Sequence, residues 1–175
     1  FTRVAIMQAA VSNLVSSLSA SPINIGLMRF NDNNLQFSEG GTVIDAVQSV
    51  ANNSDFITKL NNLVIGGGTP LSESIYESYL YYAGASRDNG RRNIYGIGVA
   101  AGNRSGFGDQ DTCVASACTD STALTGNTYV SPITAACQSN NIILLTDGEP
   151  SVDTQRDSEI IALINNQIVS PPPPE

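Results

Sequence analysis

The sequence predicts an α/β domain built on a doubly wound, mostly parallel open sheet. One observation is that segments with helical and extended hydrophobic patterns follow one another along the 175 residues. The other is the run of four apolar residues at 142–145, which is bounded by turn residues and is typical of a strand buried on both faces. Asp147 follows this run, so we expect its carboxylate at the carboxyl edge of the sheet, where ligands bind in such folds.

The first third of the chain supplies two helices and two strands. Apolar side chains recur every three or four positions in residues 1–19, which predicts an amphipathic helix. Apolar side chains alternate with other residues in 23–30, which predicts a strand, and residues 41–47 carry a weaker strand pattern. A short helix is expected at residues 54–63, where Ser54 and Asp55 can cap the start.

A triple glycine precedes the next helix. Three glycines at 66–68 allow the backbone to approach another group closely. Thr69 is a good N-cap and Pro70 suits the first helical position, so a helix is predicted to run from there to about Tyr82. Its tyrosines are interpreted as packing residues, with an aromatic ligand platform as the alternative. They are Tyr76, Tyr79, Tyr81 and Tyr82.

Residues 84–140 are predicted to form a polar insertion that contains the cysteines. The glycines of residues 96–102 have the spacing GxGxxxG, but without the strand, turn and helix of a dinucleotide site. A small-residue strand or loop is the interpretation there. Asp109 and Asp111 lack the alternating oxygens of an EF-hand, so we interpret them as part of a polar loop.

The three cysteines are Cys113, Cys118 and Cys137. An odd number leaves at least one cysteine without an intrachain disulfide partner. The spacing of Cys113 and Cys118 would allow a disulfide to close a small loop in an oxidising compartment. A disulfide within this segment is favoured over free thiols.

The carboxyl-terminal segment predicts one more helix and a linker. Ser151 or Asp153 would cap the helix, which has an apolar face between Ile160 and Ile168. Four prolines at 171–174 cannot continue it and are typical of a stiff linker.

Charge and histidine content narrow the function classes. The net charge is −8, from 16 acidic and 8 basic residues, which disfavours nucleic acid and anionic membranes as partners. No apolar run approaches the roughly 20 residues of a membrane span. The chain has 0 His, which removes the Ser-His-Asp and Cys-His nucleophile arrangements and nearly all catalytic zinc sites. We therefore expect a protein that is not an enzyme.

Two segments together carry a resemblance to a known family. The sequences Gly-Gly-Gly-Thr69-Pro-Leu and Leu-Leu-Thr-Asp147-Gly-Glu-Pro resemble the second and third motifs of a von Willebrand factor A domain. The resemblance implies that Thr69 and Asp147 are ligands of Mg²⁺ or another divalent cation, a hard ion that prefers oxygen donors. In that family a first motif, Asp-x-Ser-x-Ser, completes this metal-ion-dependent adhesion site, and the 175 residues do not contain it.

Within that superfamily, residues 1–165 resemble the amino-terminal domain of the PilY family. The resemblance rests on the two metal motifs, on Asn-Ile-Gly-Leu-Met-Arg-Phe-Asn in residues 24–31, and on Tyr-Val-Ser-Pro-Ile in residues 129–133. It implies a non-enzymatic adhesion and assembly module of bacterial type IV pili, at the cell surface, pilus tip or outer envelope. The implied partners are minor pilins or a host or surface ligand, within a larger polypeptide or pilus complex.

The resemblance also sets the expected domain organisation. Residues 1–170 would form a von Willebrand factor A-like domain that is incomplete at both ends and includes the 84–140 insertion. Residues 171–175 would begin the linker. We expect the central strand of the sheet, which carries the first metal motif in the family, to lie upstream of Phe1, because its absence would leave apolar rows of unpaired backbone groups.

Two other functions compete with adhesion. A structural domain that primes or caps the pilus would carry a degenerate metal site. An ATPase partner subunit of the metal-chelatase type is the weaker alternative, since the chain has 0 His and no P-loop.

Overall fold

The computed structural model describes residues 2–31, 40–63, 69–88, 118–146, 148–149 and 156–165. The described helices are α1 (Arg3–Ser17), α2 (Phe56–Asn61), α3 (Leu71–Ala83) and α4 (Asp157–Ile164), with short 3₁₀ turns at Val50–Asn52 and Ser121–Ala123. The described strands are β1 (Asn24–Phe30), β2 (Gly41–Ser49), β3 (Leu124–Thr125) and β4 (Thr128–Tyr129).

The helices expected in the first third of the chain are confirmed. Helix α1 begins after Thr2, whose side-chain oxygen accepts a hydrogen bond from the Ala5 N–H at 3.2 Å. Helix α2 is shorter than the pattern predicts and begins at Phe56, with no cap bond from the side chain of its N-cap, Asp55. Instead, Asn53 Oδ1 accepts from the Phe56 N–H at 3.2 Å.

The predicted doubly wound, mostly parallel sheet is wrong for the described residues. Strands β1 and β2 pair antiparallel, with Met28 opposite Val43 and Phe30 opposite Gly41. Strands β3 and β4 form a second antiparallel pair, and these two ladders are the sheets of the described chain. The physical reason is connectivity, because the link between β1 and β2 is shorter than the dozen or so residues that a parallel crossover needs.

The predicted buried strand at residues 142–145 is also wrong in the structure. The segment is described, but it belongs to no strand. Its side chains are 53%, 80%, 41% and 56% exposed from Ile142 to Leu145. A continuous apolar run becomes a buried strand only where neighbouring strands and helices cover it, and the described residues supply no such neighbour.

Two apolar clusters hold the helices to the β1–β2 ladder. One joins α1 and α2 through Val15, Val50, Phe56 and Leu60, with Ile25 and Leu27 of β1 packed against it. The other joins α3 and β2 around Tyr76, Leu80 and Val43, with Met28 of β1 and Leu163 of α4 at its margin. Because β1 contributes to both clusters, the ladder lies between the two sets of helices.

The described half of the predicted insertion packs into the second cluster. Ala123 is 0% exposed and Tyr129 is 3% exposed, and both contact the α3 side of the core. The Tyr129 hydroxyl donates to Glu77 Oε1 of α3 at 2.6 Å. Burial of Tyr129, together with the negative charge of Glu77, raises the pKa of its hydroxyl well above the usual value. Residues 118–130 are thus part of the domain core.

The tyrosines and cysteines follow the interpretations made from the sequence. Tyr76 and Tyr81 are buried in the second cluster, as packing residues should be. Cys118 is disulfide-bonded and Cys137 is a free, exposed thiol. The remaining cysteine, Cys113, lies outside the described residues, as do residues 96–102, Asp109 and Asp111, the residues offered as caps of α4, and the prolines at 171–174.

One ammonium group ties three segments together. Lys59, the single lysine of the chain, lies 2.5 Å from Asp45 Oδ1 in β2 and 3.0 Å from Asp120 Oδ2. Burial of Asp120 raises the pKa of its carboxyl, but hydrogen bonds from the Thr122 N–H and hydroxyl, from Lys59 and from the Ala46 N–H outweigh this. The resulting pKa is about 2.

Asp120→Asn tests this ion pair. Because the pKa of Asp120 is lowered on folding, its stabilisation is present above the ordinary value of 3.8 and is lost as the pH falls towards 2. The substitution should lower the free energy of unfolding by about 1–3 kcal/mol at neutral pH. It should also flatten the fall in stability between those two pH values.

Denaturant unfolding at several pH values measures both effects. The control is Asp55→Asn, which removes an exposed carboxylate at the start of α2, the helix that carries Lys59. Equal pH profiles for the two variants would contradict the assignment.

Candidate functional site

The candidate site begins at the amino terminus of α3. The sequence predicts Thr69 as the N-cap, but in the structure the N-cap position is Pro70, and no side chain caps the helix there. The Thr69 backbone still shapes the entry, because its carbonyl accepts from the Leu71 N–H at 3.0 Å. The capping prediction is therefore wrong by one residue.

The Thr69 side chain lies next to the second predicted motif. Its Oγ1 is 3.4 Å from the position that a Cβ on Gly148 would occupy. We call this approach the Thr69–Gly148 junction. It brings together two segments that lie 79 positions apart in the numbering, 69 and 148, as the prediction of a shared site requires.

The Thr146 hydroxyl forms two hydrogen bonds with the backbone of Gly148. Thr146 Oγ1 accepts from the Gly148 N–H at 3.3 Å and donates to the Gly148 carbonyl oxygen at 3.2 Å. Both hydrogen bonds span Asp147, which itself lies outside the described residues. Of the two predicted metal ligands, the structure thus describes Thr69 and the residues on either side of Asp147.

A second carboxylate approaches the same end of α3. The Ser72 hydroxyl donates to Asp157 Oδ1 at 2.7 Å, and Asp157 lies in the first turn of α4. Ser72 lies in the first turn of α3, so the contact joins the starts of the two helices. The sequence analysis missed Asp157, because nothing in the residue pattern pairs positions 72 and 157.

An ion-pair network fixes α4 beside α3. Arg156 donates from Nε to Asp88 Oδ2 at 2.7 Å and from a terminal nitrogen to Asp88 Oδ1 at 2.6 Å. It also binds Glu159 at 2.9 Å, and its guanidinium lies 5.4 Å from the ring centroid of Tyr76. Two-point pairing of this kind restrains orientation as well as distance, so the network holds the start of α4 against α3.

The charge state of Arg156 is secure. Burial by itself lowers the pKa of the guanidinium, but hydrogen bonds and charge interactions with Asp88 and Glu159 outweigh it, and the pKa is raised. The arginine is therefore positive at neutral pH.

The donor chemistry at the junction suits a hard cation in part. The Thr69 hydroxyl is an oxygen donor, which Mg²⁺ and Ca²⁺ prefer. Glu149 is described and exposed. In the described ranges, no group of three or more His, Cys, Asp or Glu side chains is placed to hold a metal ion. Thr69 and Asp147 would need further oxygen ligands to complete a coordination shell.

Comparison of this chain with protein-family models, with curated proteins and with solved structures finds no match. Membership of the von Willebrand factor A superfamily therefore stays a prediction from the motifs. Within the part of the chain that the structure describes, no helix combines the length and the apolar character needed to cross a bilayer.

A disulfide between positions 69 and 148 tests the junction directly. Gly148 does not adopt a positive φ, so its backbone accepts a side chain without strain. With Thr69→Cys and Gly148→Cys combined, the sulfurs should come within bonding distance and form a disulfide under mild oxidation.

Peptide mapping under non-reducing conditions detects the cross-link. A Cys137→Ser background removes the free exposed thiol as a competing partner. The single variants serve as controls and should give no cross-linked peptide. A double variant that stays reduced while Cys118 remains oxidised would show that the two segments do not meet.

Proposed function

We propose that this chain is a non-enzymatic adhesion and pilus-assembly module of bacterial type IV pili, which binds its partner through a divalent cation. The observation that carries the proposal is the Thr69–Gly148 junction. The Thr69 hydroxyl, which the resemblance implies as a ligand, approaches Gly148, the residue that follows Asp147 in the sequence. The motif resemblance supplies the class of site, and the cell surface or pilus tip is the location that this class implies.

The predicted ligands would leave some coordination positions of the cation free for a partner. A hydroxyl and a carboxylate leave most positions of a hard divalent ion to water and to further oxygen donors. The family resemblance assigns some of those donors to an Asp-x-Ser-x-Ser motif. The ion, when bound, supplies positive charge that attracts an acidic group of the partner, such as a carboxylate of a minor pilin or of a host surface protein.

The charge of the chain makes the cation necessary for this recognition. A net charge of −8 repels an acidic partner at long range, and Glu149 adds a carboxylate one residue after Gly148. A divalent ion reverses the sign of the local field, because a bound ion is often the largest local charge in such a site. Binding should therefore depend on the cation most strongly at low salt, where the repulsion is least screened.

Asp147→Ala and Thr69→Ala test the proposal in the complete polypeptide. Each should reduce Mg²⁺-dependent binding to pili or host surfaces by at least about tenfold, a loss of roughly 1.4 kcal/mol. Thr69→Ser keeps the hydroxyl and should retain binding. Glu149→Ala removes an exposed carboxylate from the same turn and serves as the matched control.

Binding is measured with Mg²⁺ and with a chelator. Adhesion that is equal in both conditions, or that falls equally in the Glu149→Ala control, would rule out the proposed site.

A structural role in priming or capping the pilus is the alternative. It is favoured by the described side chains, among which no three metal-binding groups converge. Pilus assembly that survives Asp147→Ala, with no cation-dependent adhesion by the unsubstituted protein, would select this alternative.

A further inference from the structure

A groove of uncharged side chains lies between β2 and residues 130–134. Its volume is about 410 Å³, which falls within the range of about 300–1,000 Å³ that is typical of small-molecule sites. None of the described residues that line it is charged, although the chain carries 16 acidic and 8 basic residues. Most of the lining side chains are nevertheless polar. They are Asn24, Gln48, Tyr81, Thr122, Ser131 and Thr134.

Three of these polar groups have hydrogen-bonding capacity that the described residues leave unused. The side-chain amides of Asn24 and Gln48 make no hydrogen bond within the described part of the chain. Tyr81 is 5% exposed, and its hydroxyl accepts from the Val47 N–H at 2.9 Å, but no described group accepts the hydrogen of that hydroxyl. A buried donor without an acceptor costs free energy. A ligand in the groove that accepts from Tyr81 would remove this cost.

The wall formed by residues 130–134 is fixed by its own hydrogen bonds. The Ser131 hydroxyl donates to the carbonyl oxygen of Tyr82 at 2.6 Å. The side-chain amide of Gln138 donates to the Pro132 carbonyl oxygen at 3.0 Å and accepts from the Thr134 N–H at 3.0 Å. A wall that is already ordered loses little conformational freedom when a ligand binds. The groove is therefore preformed on this side.

We propose that this groove binds a neutral saccharide. A sugar hydroxyl both donates and accepts hydrogen bonds, and a side-chain amide does the same, so Asn24 and Gln48 match neighbouring hydroxyls in either role. Val130 and Pro132 supply apolar lining for the C–H face of a sugar ring. The lining contains no described charge that would pair with an anionic or cationic ligand, and burying an unpaired charge is costly.

The edge of β2 beside the groove is closed to an extended peptide. A peptide that adds a strand to a sheet needs free main-chain groups on the edge strand. Here the Val43 carbonyl oxygen accepts from the Asp120 N–H at 2.8 Å. The Ala46 N–H donates to the Asp120 carboxylate, and the Val47 N–H donates to the Tyr81 hydroxyl. Side-chain amides and a hydroxyl thus remain for recognition, which favours a polyhydroxylated ligand over a peptide strand.

Titration with simple sugars, followed by NMR of the protein, tests the proposal. The probes are methyl glucoside, methyl galactoside and N-acetylglucosamine, and the buffer contains a chelator because no groove residue is a predicted ligand of the cation. At least one probe should bind. Gln48→Ala and Asn24→Ala each remove an exposed amide and should raise the dissociation constant of that probe about fivefold, as expected for one lost hydrogen bond.

Tyr81→Phe removes the buried donor and should weaken binding by a similar factor. It also removes the acceptor of the Val47 N–H, so thermal unfolding is used to confirm that the variant is folded at the temperature of the titration. The two amide variants alter exposed side chains without described partners, and they decide the outcome if Tyr81→Phe does not fold.

Asn61→Ala is the matched control, since it removes an exposed amide at the end of α2, outside the groove. It should bind sugar like the parent. Glucuronate, an anionic sugar, should bind at least about tenfold more weakly than the neutral probe, and acetyl-trialanine amide, a neutral peptide, should not compete. Failure of all three neutral sugars to bind would overturn the proposal. So would competition by the peptide, unchanged affinity in both amide variants, or an equal loss in Asn61→Ala.

Discussion

Burial of one face of α3 is the constraint on which the rest of the described structure depends. Tyr76 and Leu80 are 0% exposed and pack against β2, and the same helix carries Glu77, which receives the Tyr129 hydroxyl. The helix therefore fixes the polar segment around residue 129 and, through Tyr76 and Arg156, the start of α4. It also sets the position of Thr69, because that residue precedes its first turn. The candidate site is a consequence of core packing.

Two backbone N–H groups of β2 donate hydrogen bonds to side chains. The Ala46 N–H donates to Asp120 Oδ2 at 3.2 Å, and the Val47 N–H donates to the Tyr81 hydroxyl at 2.9 Å. Burial raises the pKa of that hydroxyl, while its hydrogen bond with Val47 lowers it, and the net direction is upward. Side chains thus satisfy backbone groups that another strand would otherwise engage, which is a known way to protect a sheet edge.

Hydrophobic periodicity in the sequence predicted the helices and strands that bury an apolar face against another described part of the chain. Periodicity located α1, β1, β2 and α3 to within a few residues, because each shows its apolar face to a neighbour that the chain itself supplies. The same reasoning failed at residues 142–145, where burial depends on a covering strand rather than on the run itself. Sequence could not pair Lys59 with Asp120, or Arg156 with Asp88, since such contacts depend on the fold and join residues 61 and 68 positions apart.

For the candidate site, the sequence located the two segments, and the structure describes Thr69, one of the two residues implied as ligands, and its approach to Gly148. The joint occurrence of a triple glycine before Thr69 and of Thr-Asp-Gly after an apolar run was the usable signal. The predicted N-cap, Thr69, was wrong by one position, because Pro70 fits more than one position at the start of a helix. Asp157 gave no signal, because its role arises from the angle at which α4 meets α3.

The chain has few basic side chains, and three of them are held in ion pairs or hydrogen bonds. This has a practical consequence for protease mapping. Trypsin requires a lysine or arginine in an accessible, locally unfolded segment. Lys59 is held between two carboxylates, Arg87 is 7% exposed and donates to Asn127 Oδ1, and Arg156 is fixed by Asp88 and Glu159. Cleavage at these three residues would follow the opening of the core, so its rate measures the stability of the folded unit rather than the accessibility of its surface.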